Sequence, residues 1–200
     1  MEKFRKKRNL ITGMIITLLT LGSGTINAQT VSPDNTGEGY KVGDTGPAGG
    51  IIFYVKNDNS GGWHYLEAAP YDINVQCQWG VYKDSVETGG RIGDGKNNSE
   101  KILLALSRRP KDIGYARAAE LCDRLEIGGF NDWFLPSLNE LANLFKAMQQ
   151  LGRLDSFKKA YYWTSTQKHE KDSFVIHMGT GKMQDKDKDH NHYVRAIRAF

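Results

Sequence analysis

Apolar positions along this chain change their period twice. Over 51–55 (IIFYV) and 63–68, short apolar runs predict two strands, and the turn formers at 57–62 between them predict a hairpin. Further on the spacing becomes helical. Asn97 and Glu100 read as a cap pair ahead of Ile102, Leu103 and Leu106, and Pro110 ends that helix. Tyr115, Ala119, Cys122 and Leu125 recur at helical spacing, which predicts a helix over 115–126 with Cys122 on its buried face. Leu138, Leu141, Phe145 and Met148 do the same for a helix after Ser137. Alternation returns at 162–166, at Phe174, Ile176 and Met178, and at 193–200. Strands, helices, strands is the order of an α+β domain whose terminal strands can pair. The stretch 72–97 has little periodicity and reads as long irregular structure anchored by Trp79; such loops are often binding surface.

The segment 128–141 (GGFNDWFLPSLNEL) punctuates this pattern most sharply. Gly128 and Gly129 tolerate positive φ and so allow a reversal. Pro136 disfavours helix at Leu135, and Ser137 stands three residues before Glu140, the spacing of a capping box. Gly43, Gly46 and Gly49 stand at every third position, but three glycines make a turn feeding the first strand, not a collagen helix.

The N-terminus adds a compartment. Lys3, Arg5, Lys6, Lys7 and Arg8 precede an uncharged run over 10–21 and small residues up to Ala28, the pattern of a cleaved secretory signal. That run is shorter and more interrupted than the roughly 20 apolar residues of a membrane span, so no transmembrane segment is expected after cleavage. The expected organisation is a signal peptide at 1–28, a flexible leader at 29–39 and one domain at 40–200, secreted, on the cell surface or in the periplasm. Removing 1–28 takes away five of the 27 basic and one of the 23 acidic residues, leaving 22 of each. The pI near 8.9 therefore belongs to the precursor and gives no argument for nucleic acid as a partner. Two cysteines in an exported chain suggest a Cys77–Cys122 disulfide, the alternative being two separate buried thiols.

Taken in order, GDTGPAGGIIFYV, the Trp79-Gly80 pair, IGDGKNNSEKI, AAELC, GGFNDWFLPSLNEL, YWTSTQ and VRAIRAF resemble the bacterial domain-of-unknown-function family numbered 1566, the C-terminal domain of the Legionella collagen-like adhesin. The resemblance runs from about Tyr40 to Phe200. It implies a C-type-lectin-like fold, with small antiparallel sheets flanked by two main helices and long irregular loops. It also implies a non-catalytic adhesion module whose partner is a glycan, a sulfated polysaccharide or an extracellular protein. Three departures qualify it. Ala196 stands where many relatives carry a cysteine, the tripeptide of calcium-dependent sugar-binding lectins is missing, and so is the collagen-like stalk.

Candidate chemistry is sparse. Asn131 and Asp132 offer oxygens to calcium, the cofactor this fold would suggest, but one stretch cannot fill a shell of six to eight oxygens, and a structural turn is the better reading. Asp185, Asp187 and Asp189 open like an EF-hand loop, yet His190 falls where glycine is needed and Ala196 where a bidentate glutamate is needed. His190 and His192, with His177, have the residue types of a transition-metal site. A solvated tip of mixed charge is the plainer account of this stretch. The expected ligand contacts are Trp163, Lys182, Asp185, Lys186, Asp187, Lys188, His190 and His192; Trp63, Trp79 and Tyr82 could also stack on sugars if exposed. No catalytic constellation is expected. Ser165 and His169 lack an elbow motif, no cysteine follows Cys122, and Gly93-Asp94-Gly95-Lys96 falls short of a phosphate loop.

Overall fold

The computed structural model describes residues 39–58, 60–73, 75–108 and 117–200. The expected signal segment, and the leader up to residue 38, lie outside the described residues. Strands β1 (Ile51–Val55) and β2 (Tyr65–Ala68) form the anticipated hairpin, and β6 (Ile197–Ala199) pairs antiparallel with β2, so the first and last strands share a sheet of order β1-β2-β6. A second antiparallel sheet contains β3 (Tyr161–Gln167), β4 (Asp172–His177) and β5 (Met183–Asp187) in that order. Between the sheets in sequence come α1 (Asp94–Ser107), α2 (Ala118–Asp123) and α3 (Leu138–Gln150). This is an α+β arrangement with three helices where two main ones were expected. Among the described residues no helix is long and apolar enough to cross a membrane.

α3 begins as its sequence demands. The Ser137 side chain accepts from the Glu140 N–H, and Glu140 returns the bond to the Ser137 N–H at 2.7 Å. Leu141, Leu144 and Met148 bury one face of this helix, which packs against β1, β3 and β4 and so ties the two sheets together. Gly128, at φ 62°, turns so close to the Ala48 backbone that a Cβ would lie 2.8 Å from it, a contact only glycine allows.

The core falls into two clusters. One gathers Trp79, Trp133, Trp163, Ile102 and both cysteines; the other gathers Leu66, Phe134, Leu141, Leu144, Met148, Tyr162 and Ile197. The buried tryptophans satisfy their indole N–H groups on backbone carbonyls: Trp79 on Thr164 (2.7 Å), Trp163 on Cys77 (2.8 Å) and Trp133 on Phe130 (3.0 Å). Trp79 thereby anchors the irregular stretch as expected, pinning it to β3.

Three expectations change here. α1 starts at Asp94, with Gly93 at φ 94° before it, so Asn97 and Glu100 sit inside the helix and cap nothing. The charged stretch after Lys182 is mostly the edge strand β5, and only its end forms a turn. The two cysteines are free thiols rather than a disulfide. Cys77 Sγ lies 3.9 Å from the carbonyl of His192, and burial pushes the Cys77 thiol up to about 12. Burial, with Cys77 nearby, raises Cys122 well above its ordinary value. Both pack as small protonated hydrophobes.

Candidate ligand-binding cleft

Two arginines near the C-terminus bind the loops to the sheets. Arg198, 3% exposed, forks onto Asp132 through Nε–Oδ1 (2.7 Å) and Nη2–Oδ2 (2.9 Å) and donates Nη1 to Glu67 at 3.2 Å. Its guanidinium also stacks on Phe130 at 3.9 Å. Glu67, fully buried, accepts from the N–H groups of Ala48 (3.1 Å) and Gly50 (2.8 Å), so one carboxylate fixes the turn before β1. Both Asp132 oxygens are thus engaged in a structural ion pair. Burial works to raise its carboxyl, but the Arg198 guanidinium outweighs this and holds it below its ordinary value. Arg195 makes a parallel junction, donating to Asp72 (2.7 Å), to Ala69 O (2.9 Å) and to Ser156 O (2.8 Å).

The anticipated ligand residues separate in the same way. Trp163 is 0% exposed and offers no face to a sugar. Lys188 is also 0% exposed: its ammonium donates to Asp84 O (2.9 Å), Gln167 Oε1 (2.6 Å) and Glu170 O (3.0 Å) and lies 4.6 Å from the Trp79 ring centre. It holds three segments together and cannot reach a ligand. Asp185 pairs with Lys168 at 2.8 Å, and Lys186 lies over the Tyr161 ring at 5.2 Å. Lys182 is exposed. His192 packs edge-on against Trp163 at 4.7 Å, its Nε2 buried without a partner; burial, then the positive charges of His190 and Lys186, push it down to about 4. His177 accepts from the Gly179 N–H at 3.1 Å and stacks on Tyr161. Asp187, Asp189 and His190 bring one ligand atom each within 4.8 Å of one another, and they form the one such group found among the described residues. Asp185, His177 and His192 do not join it. Ser165 is buried and accepts from Asn98 Nδ2 at 3.0 Å, while His169 pairs with Asp172 at 2.9 Å, so these two do not form a catalytic pair.

A cleft of about 290 Å³ opens elsewhere, lined by Trp63, Leu66, Phe134, Lys96, Asn97 and Glu100 among others. Glu140 explains its shape. The same buried carboxylate that closes the α3 capping box accepts the Gly93 N–H at 2.8 Å, satisfying the start of α1 as well. Burial raises this carboxyl against the pull of those N–H bonds. Two helix N-termini thus converge on one group at the cleft wall. Trp63 is half-buried beside them, with the Lys56 ammonium 4.6 Å from its ring centre. Lys56 is itself held by Asp58 at 3.1 Å. Lys96, Asn97 and Glu100 lie at i, i+1 and i+4 on the exposed side of α1, whose buried side is Gly95, Asn98, Ser99 and Ile102. Among the described residues none of these three side chains makes a hydrogen bond or ion pair. The sequence reading missed them by taking Asn97 and Glu100 as a cap pair and Lys96 as the end of an incomplete phosphate loop, although their spacing against the buried positions already places them on one polar face.

Two three-stranded sheets, bridged by α3 and carrying an open cleft lined by aromatic and exposed polar side chains, define a small α+β domain. Residues 71–198 match the Lcl C-terminal domain, and the chain belongs to that family. The match starts after β2, whereas the motif resemblance runs from about residue 40. Among solved structures, the chain is similar to a fimbrial protein from Bacteroides ovatus, with a TM-score of 0.52 and 16% identity over 76% of this chain and 44% of that one. At that identity the likeness speaks for the fold alone, and this chain spans less than half of that neighbour. No curated protein matches.

Proposed function

We propose that this protein is an exported, non-catalytic adhesion module of the bacterial surface, built on a C-type-lectin-like scaffold and recognising glycans or matrix polymers through the Trp63 cleft. The observation that carries the reading is the cleft itself, an aromatic ring beside an exposed lysine, amide and carboxylate that no other protein group engages. A ligand meets these groups by exchanging their water, with no internal contact to break first. Membership in the Lcl C-terminal domain family supports the adhesion class. The domain lacks the calcium tripeptide, so calcium-dependent recognition is not part of the proposal.

The test is a screen of the purified chain against arrayed glycans and matrix polymers, with calcium and with chelator. Saturable binding, weakened by substitution at Trp63, is the expected result. Absence of binding to every glycan and polymer under both conditions overturns the adhesion reading. Turnover of a bound saccharide would instead make the chain an enzyme.

A further inference from the structure

We infer that the cleft takes a neutral, unsulfated pyranose unit and does so without a metal ion; this rests on the adhesion reading and narrows it. Three features point the same way. The first is size: about 290 Å³ lies at the small end of ligand sites and suits a sugar unit rather than a broad polymer face.

The second is the setting of the ring. A Cβ at Gly61 or at Gly93 would stand 3.4 Å from the Trp63 indole, and both glycines hold positive φ, at 74° and 94°. Side chains there would be strained by the positive φ and would rest in contact with the indole edge, which glycine leaves open. Lys56 lies over the ring and is tethered by Asp58, which restrains the indole before any ligand arrives. A restrained, partly open indole is suited to the apolar C–H face of a pyranose.

The third is charge. Lys96 and Glu100 are one turn apart and oppositely charged, yet they form no ion pair; lysine on the N-terminal side of glutamate is the weaker orientation of that pair. They remain available as donor and acceptor, with the Asn97 amide offering both. Sugar hydroxyls, which donate and accept together, match this set. The Lys56 ammonium beside the indole is already compensated by Asp58, so a sulfate meets one uncompensated ammonium, Lys96, and is opposed by the Glu100 carboxylate, with the Glu140 carboxyl group in the same wall. Calcium has no shell here either. Besides Glu100 the lining offers the Glu140 carboxylate, whose two oxygens are engaged by Ser137 and Gly93, against a need for six to eight oxygens.

Calorimetric titration of the full chain with cellohexaose, mannohexaose and chitohexaose, alongside heparin and chondroitin sulfate, in calcium and in EDTA, separates the possibilities. Expected is binding of at least one neutral hexamer, unchanged by EDTA. Trp63→Ala and Glu100→Gln should each weaken it roughly tenfold or more, the scale of a lost stacking or charge-assisted contact. Asn97→Ala and Glu100→Gln alter only exposed helix positions, so their readings stand even if Trp63→Ala unfolds. Heparin binding that is indifferent to Trp63, Asn97 and Glu100, with no neutral hexamer bound, overturns the neutral-sugar inference and leaves the adhesion reading intact. A requirement for calcium overturns the metal-free claim, and binding of neither class overturns both readings.

Discussion

The stretch 182–198 and the first turns of α1 are both rich in charge, but folding treats them in opposite ways. In the former, Lys188 is spent on three acceptors, Arg195 on Asp72 and two carbonyls, Arg198 on Asp132 and Glu67, and Asp185 on Lys168. On α1, Lys96, Asn97 and Glu100 are left without partners beside an indole. The denser cluster is mainly framework, and the proposed site lies in the sparser one. What locates a binding site is the hydrogen-bonding capacity that remains after folding, and residue type alone does not report it.

Substitutions can break this contrast. The largest effect is expected from Arg198→Ala, which strands buried Glu67 and half-exposed Asp132. A loss of about 3–5 kcal/mol in urea denaturation is expected. A loss below about 1 kcal/mol would show that those carboxylates find other donors and that the junction is not the frame described. Lys188→Met should cost about 2 kcal/mol, because three part-buried acceptors lose a buried donor, with saccharide affinity at the Trp63 cleft unchanged. If that affinity fell instead, the buried lysine would have to be counted with the site.

His192 sharpens the contrast through pH. Its folded-state value of about 4 lies below its ordinary 6.5, so between these values the unfolded chain binds more protons than the folded one. Its contribution to stability is therefore complete above about pH 6.5 and lost as pH falls toward 4. Urea midpoints measured over that window should decline for the native chain and flatten in His192→Phe; identical slopes would remove the histidine from the framework. The smallest effects belong to the other region. Asn97→Ala and Glu100→Gln should each change stability by no more than about 0.5 kcal/mol, the usual range for surface positions without special contacts. A larger loss in either would mean that the residue supports α1 and is not held in reserve for a ligand.

Much of the fold was legible in local patterns. The hairpin over 51–68, the start of α3 at the Ser137–Glu140 box, the existence of β3 and β4, and the return of the last strand all depend on nearest neighbours or on short runs, although β3 is buried at every interior position and does not alternate. The boundary of α1 was misplaced because Asn97 and Glu100 mimic a capping pair, whereas the real start relies on Glu140, a residue 47 positions from Gly93. The site was less legible. Of the expected contacts, Lys182 stays exposed and Lys186 half-exposed, while Trp163 and Lys188 are interior. Trp63 was one of several candidate aromatics, and only burial distinguishes it from Trp79 and Trp163.

By itself the sequence determined the α+β order, the cap of α3 and the main turns, and the family to which the chain belongs, because these follow from spacing along the backbone. Tertiary structure decided which chemistry is consumed. Whether Asp132 meets calcium or Arg198, whether Cys77 bonds Cys122 or packs as a thiol, and whether a lysine is a ligand contact or a buried strut depend on groups far apart in the chain. The Gly128 to Leu141 segment shows both sides: its capping box is written in local sequence, while the second helix that Glu140 caps, and the cleft formed between them, exist only once α1 arrives.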